Sequence, residues 1–175
     1  PARGGRLYVS NHQGAFDIPL LIGHVPGVKG FVSKKENFRL PIVSSWMRRL
    51  HCVVLDREDL RQSVQAIAQG VADLKAGRSL VVFPEGTRSR SGRLQRFKEG
   101  SFKLAVRSRS VVVPLTIDGS YRLFEGNRGR VKPGLVRLHI HPPLNLADLP
   151  AGEQQDPADL VRAIIASRLP QGEQA

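Results

Sequence analysis

The chain has 175 residues, 41% hydrophobic and 24% charged, which fits one globular domain with a single core and excludes a disordered polyelectrolyte. A formal net charge of +12 calls for an acidic partner: phospholipid, nucleic acid or an acidic carrier protein. A lone cysteine, Cys52, excludes an internal disulfide and a multi-cysteine zinc site, and no apolar run reaches the roughly 18 residues of a membrane-spanning helix.

The chain starts at Pro1 in a strand-like stretch without an initiator Met, so it reads as one domain over residues 1–175 with its natural N-terminus trimmed and its last few residues flexible. Arg6–Ser10 predicts a strand entering an Asn11-His12 turn. Asp17-Ile18-Pro19 predicts a helix start, with Asp17 as cap and Pro19 in the first turn. On a continuous helix His12 and Asp17 would point about 140° apart, so only a folded-back loop joins them. There Asp17 would accept a hydrogen bond from one ring nitrogen of His12, fixing the tautomer and leaving the other nitrogen to take a proton. The alternative is a His–Asp pair that only holds the turn.

Val28–Ser33 predicts the next strand. Phe38, Leu40, Ile42, Val43, Trp46, Met47 and Leu50 then alternate with Arg39, Arg48 and Arg49. This segment either docks on anionic headgroups or uses Trp46 and Met47 to close the core. Cys52–Leu55 predicts a short strand with a buried thiol. Leu60, Val64, Ile67, Val71 and Leu74 mark an amphipathic helix ending near Gly77, and Ser79–Phe83 predicts a fully apolar strand.

That strand runs into Pro84-Glu85-Gly86-Thr87-Arg88-Ser89. Backbone N–H groups, a hydroxyl and a guanidinium are thereby set at a strand's carboxyl end, where open α/β sheets bind ligands. Arg88 has the fork geometry for two phosphate oxygens. Glu85 either touches substrate or holds the loop in shape. Beyond it, Glu99–Arg109 predicts a helix and Val111–Ile117 a buried strand. Leu135–His141 alternates Val136, Leu138 and Ile140 with polar residues, as a half-exposed strand near an edge does. Pro142, Pro143 and Pro150 punctuate the exit, and Asp156-Pro157 caps a last helix running to Leu169. The repeated order of strand and helix argues for an α/β domain with a mostly parallel, mixed central sheet flanked by helices.

In order along the chain, four blocks resemble those of the glycerol-phosphate and lysophosphatidate acyltransferases. They are Asn11-His12-(x4)-Asp17; Lys34-Lys35-Glu36 through Pro41 to Val53-Val54-Leu55-Asp56-Arg57; Phe83–Ser89 continuing through Gly92, Phe97-Lys98 and Gly100; and Val113-Pro114-Leu115-Thr116-Ile117. Ser44 and His51 stand where members of that family commonly carry glycine.

The resemblance implies the glycerol-phosphate acyltransferase-like fold. It also implies transfer of a fatty acyl group from acyl-CoA or acyl-carrier protein to the free hydroxyl of lysophosphatidate, in phospholipid biosynthesis. Glycerol 3-phosphate or another lysolipid is the alternative acceptor. It makes His12 the general base and Asp17 its orienting partner, with no acyl-enzyme, no cofactor and no metal. Asn11, Lys34, Arg57, Glu85, Gly86, Thr87 and Arg88 are its substrate-site residues, and backbone N–H groups in the loop after His12 are the most economical oxyanion donors. Lipid substrates imply work at an anionic phospholipid surface, on the cytoplasmic face, peripherally or through an anchor outside this chain.

Rival readings lack their motifs. A nucleic-acid module would show helix-turn-helix, zinc or aromatic-strand signals. Gly-x-Ser-x-Gly for a serine esterase and Gly-x4-Gly-Lys-Ser/Thr for a nucleotide-binding loop are both missing.

Overall fold

A computed structural model describes residues 4–36, 41–56, 59–149 and 156–173. Strand β1 (Leu7–Ser10) lies inside the sheet, parallel to β4 (Ser79–Val82) on one side and to β5 (Val112–Asp118) on the other. Beyond β4 come β2 (Lys29–Lys34) and then β3 (Val53–Leu55), both parallel. Strand β6 (Arg137–Ile140) closes the other edge antiparallel to β5, giving the order β3-β2-β4-β1-β5-β6.

Parallel neighbours need crossovers, and helices supply them. They are α1 (Asp17–His24), α2 (Pro41–Arg49), α3 (Leu60–Lys75) and α4 (Lys103–Ser108), with α5 (Pro157–Ala166) closing the chain. Alternation along the inner strands divides the core between two faces. Leu7, Val9, Leu80 and Val82 meet Leu74 of α3, Leu104 of α4 and Ile165 of α5. Tyr8, Val81, Val113 and Leu115 meet Leu21 and Val25 around α1. Burial on both sides is why these strands read as continuous apolar runs.

The first face packs closely because residue 70 of α3 is glycine. A Cβ there would come within 2.8 Å of Leu104 and 3.3 Å of Val53. Below the second face, Lys29 is buried and its ammonium donates to the carbonyls of Leu21 and Val25, at 3.3 and 2.6 Å, capping the end of α1. Burial holds that ammonium below the ordinary lysine range.

Several expectations shift by a turn. The helix predicted over 99–109 is a 3-10 turn, Glu99–Phe102, followed by α4, and Arg109 ends it in the left-handed region at φ 57°. The last helix stops at Ala166, although Leu169 remains buried. Strand β6 lies at the sheet edge, as its alternation predicts, and Ile140 at its end is half exposed. The two readings of the 38–50 segment divide within α2: Met47 is buried and Trp46 is 64% exposed. Residues 37–40, and the side chains of 41–43, lie outside the described residues. Cys52 is half-buried, its sulfur accepting the Phe31 N–H at 3.3 Å, and burial pushes its thiol pKa up. Among the described residues, no helix is long and apolar enough to cross a membrane.

Candidate active site

Strands β1, β4 and β5 are parallel neighbours, so the segments leaving them all emerge at one edge of the sheet. These segments are Asn11–Asp17, Phe83–Arg90 and Gly119–Glu125. Backbone bonds tie the first two side by side, Ser89 N–H to His12 O at 2.8 Å and Arg90 N–H to Gln13 O at 3.0 Å.

The loop after β1 folds back, as the spacing of His12 and Asp17 requires. Asp17 opens α1, but its carboxylate turns away from the helix and does not cap it. Oδ2 accepts His12 Nδ1–H at 2.7 Å, Gln13 N–H at 2.7 Å and Gly14 N–H at 2.9 Å. Oδ1 accepts the hydroxyl of Ser120, 103 residues away. A carboxylate can only accept from the ring, so Nδ1 carries the proton and Nε2 is left with its lone pair free to accept one. The imidazole stacks on Phe83, with ring centroids 4.0 Å apart and planes 17° apart, and a cleft of about 310 Å³ opens beside it.

The cleft is lined by His12, Lys34, Gly86, Thr87, Arg88 and Arg90, with Ile18, Phe31, Val32, Leu55 and Phe83 supplying apolar wall. Lys34, Gly86, Thr87 and Arg88 are therefore together, as the sequence predicts. Arg57 lies outside the described residues. Two other predicted substrate residues are placed elsewhere. Asn11 is 1% exposed, and its amide donates to the Ile117 carbonyl and accepts the Ile117 N–H, each at 2.8 Å, which pins β1 to β5 and keeps the side chain out of the cleft. Glu85 is 3% exposed and accepts His12 N–H at 2.7 Å and Gln95 N–H at 3.2 Å, so it holds the loop in shape. Burial pushes its carboxyl up to about 7, against the pull of those two N–H donors.

The expected oxyanion donors are also committed. His12 N–H goes to Glu85, Gln13 and Gly14 N–H to Asp17, and Ala15 N–H to Glu125 at 2.8 Å. Four consecutive amides meet three carboxylates, because a loop that turns so sharply leaves them unpaired by secondary structure.

Ser120, Gln13 and Glu125 have no motif of their own. Gln13 Oε1 accepts Gly119 N–H at 2.9 Å and Ser120 N–H at 3.2 Å, which places the Ser120 hydroxyl against Asp17. Only the Gly-Ser pair just past the fourth block, at residues 119 and 120, hints at this turn; Gly119 sits at φ 94°.

A protein-family model described as Acyltransferase matches residues 1–118. The chain belongs to the acyltransferase family. Among relatives, the chloroplastic 1-acyl-sn-glycerol-3-phosphate acyltransferase of Arabidopsis thaliana is 39% identical over 140 residues, covering 79% of this chain and 39% of that protein. A 1-acyl-sn-glycerol-3-phosphate acyltransferase of Chlamydomonas reinhardtii is 34% identical over 166 residues, covering 94% and 48%. The crystal structure of the 1-acyl-sn-glycerophosphate acyltransferase PlsC from Thermotoga maritima superposes with a TM-score of 0.81 at 33% identity, covering 94% of this chain and 65% of that one. This acyltransferase chain spans about half the length, or less, of the curated relatives from Arabidopsis and Chlamydomonas. Its family match covers all four sequence blocks.

Proposed function

We propose that the chain transfers a fatty acyl group from an acyl thioester, acyl-CoA or acyl-carrier protein, to the free hydroxyl of lysophosphatidate, making phosphatidate. The observation that carries this reading is His12: its Nδ1 is held 2.7 Å from a fully buried Asp17 and its ring borders a cleft that also presents Lys34, Thr87 and Arg88. Nε2 takes the hydroxyl proton as the acceptor oxygen forms its bond to the thioester carbonyl. Asp17 stabilises the imidazolium, and its further bonds to Gln13, Gly14 and Ser120 keep the carboxylate still while the ring charges. Collapse breaks the carbon–sulfur bond, and the departing thiolate takes the proton back from His12. Acyl passes directly from donor to acceptor, so no acyl-enzyme forms.

The acceptor phosphate is assigned to Arg88 with support from Lys34, because a dianion half-paired in a cleft is costly. The apolar wall of Ile18, Phe31, Val32 and Leu55 suits a lipid substrate, and the basic surface suits an anionic bilayer on the cytoplasmic face and an acidic donor. The reaction as proposed uses no cofactor.

The test is thiol release from acyl-CoA and, separately, acyl-carrier protein, with lysophosphatidate or glycerol 3-phosphate as acceptor. His12→Ala is expected to lower turnover by about 10² to 10⁴ while circular dichroism shows the fold intact. Unchanged turnover in that variant removes His12 as base. Release that depends on glycerol 3-phosphate alone keeps the chemistry and replaces the acceptor.

A further inference from the structure

Glu125 is an acidic residue at the site that the mechanism leaves unused. It opens a one-turn 3-10 segment, Glu125–Asn127, in the connection from β5 to β6, yet its side chain is only 8% exposed. Oε1 accepts both the Ala15 amide at 2.8 Å and Arg88 Nη1 at 3.1 Å. Oε2 is buried and has no hydrogen-bond partner among the described residues. Gly14 permits the approach, since a Cβ there would lie 2.5 Å from Oε2.

A carboxylate that shares one oxygen between two donors and leaves the other unpaired is an incomplete tenant, because a buried acceptor without a donor forfeits its hydration for nothing. The same two donors suit a phosphate, whose three terminal oxygens and double charge would engage a guanidinium fork and an amide more fully. Further positive charge lies directly after Glu125 in the chain: Arg128, Arg130 and Lys132 line an open concavity of about 410 Å³. Arg88 itself is 40% exposed and lines the cleft beside His12, so an anion reaches it from solvent.

We propose that Glu125 is a built-in competitor for the acceptor phosphate: its carboxylate occupies Arg88 and the Ala15 amide until the phosphate takes those donors, and this exchange sets acceptor affinity. The inference rests on the reading of Arg88 as the phosphate ligand. It makes Glu125 a specificity-determining residue that favours a dianionic phosphate over weaker anions, since only a better ligand displaces it. If Glu125 served instead as a permanent strut for Arg88, its removal would have the opposite sign, weakening phosphate binding by letting the guanidinium wander.

The experiment is calorimetric binding of glycerol 3-phosphate, and of inorganic phosphate as a smaller probe, to the wild type, Glu125→Gln, Arg88→Ala and the double variant. Each is first checked for cooperative thermal unfolding, and Glu125→Ala is a second route should the glutamine variant fail to fold. Competition predicts that Glu125→Gln tightens Kd about two- to fivefold, as expected for one partly exposed ion pair, and that this gain vanishes in the Arg88→Ala background. Weaker or unchanged binding in Glu125→Gln, with Arg88→Ala still weakening it, overturns the competitor role and leaves the Arg88 reading standing. Unaltered binding in Arg88→Ala removes the phosphate assignment itself and the competitor with it.

Discussion

Glu85 sits where the loop after β4 meets the loop after β1, and both of its oxygens accept backbone N–H groups that would otherwise have no partner. Its environment is nonetheless apolar enough to raise its carboxyl from an ordinary 4.5 to about 7. The raised value has a definite sign. Between pH 4.5 and 7 the folded chain keeps a proton that the unfolded chain has released, so the associated stability is full below pH 4.5 and is lost as pH rises through 7. Urea unfolding of the wild type is therefore expected to lose up to about 3 kcal/mol between pH 4.5 and pH 8 relative to Glu85→Gln. A difference that does not change with pH would mean that Glu85 is ionised throughout and that its two N–H donors outweigh burial. Asn11 shows the same conversion of a motif residue into a strut. Next to a base it reads as a substrate ligand, but at the end of an inner strand its amide is the right length to complete the backbone pairing of β5.

At the scale of elements, the core on the first face of the sheet depends on how closely α3 and α4 cover it. Gly70 gives up helix propensity, worth about 1 kcal/mol against Ala, for that approach. Because a side chain at residue 70 would start with its Cβ only 2.8 Å from Leu104, Gly70→Leu is expected to force α3 and α4 apart and lower stability by about 1–3 kcal/mol, read as a shift in the urea midpoint. No shift would mean that the helices part without cost. The elements themselves were largely legible from periodicity: β1, β2, β4, β5, α3 and the Asp156 cap of α5 all lie where apolar spacing and turn residues predict. Boundaries failed where tertiary burial overrides local pattern, as at Leu169, which stays in the core after the helix has ended.

For the whole molecule, the proposed work at a lipid surface would draw on the charge of +12 and the exposed apolar residues Trp46, Val131 and Leu135. Trp46 is the single tryptophan, which makes it a direct reporter. Vesicles rich in anionic phospholipid are expected to bind the chain at low salt, to release it as ionic strength approaches about 1 M, where the screening length falls to about 3 Å, and to shift Trp46 emission to the blue. Binding with an unshifted spectrum would move the contact away from α2, toward the basic loop of Arg128, Arg130 and Lys132.

By itself the sequence determined the α/β class, the order of the elements, the family blocks and the His12–Asp17 pair on which the proposed mechanism rests. Each of these is written in neighbouring residues, as spacing, capping or a strand that runs into a loop. Tertiary structure alone decided which motif residues face the cleft, that Ser120 holds Asp17 and that Glu125 holds Arg88. Those contacts join the carboxyl ends of β1, β4 and β5, segments as far as 110 residues apart. Parallel pairing brings such ends together at one sheet edge, and no local pattern records which side chains will meet there.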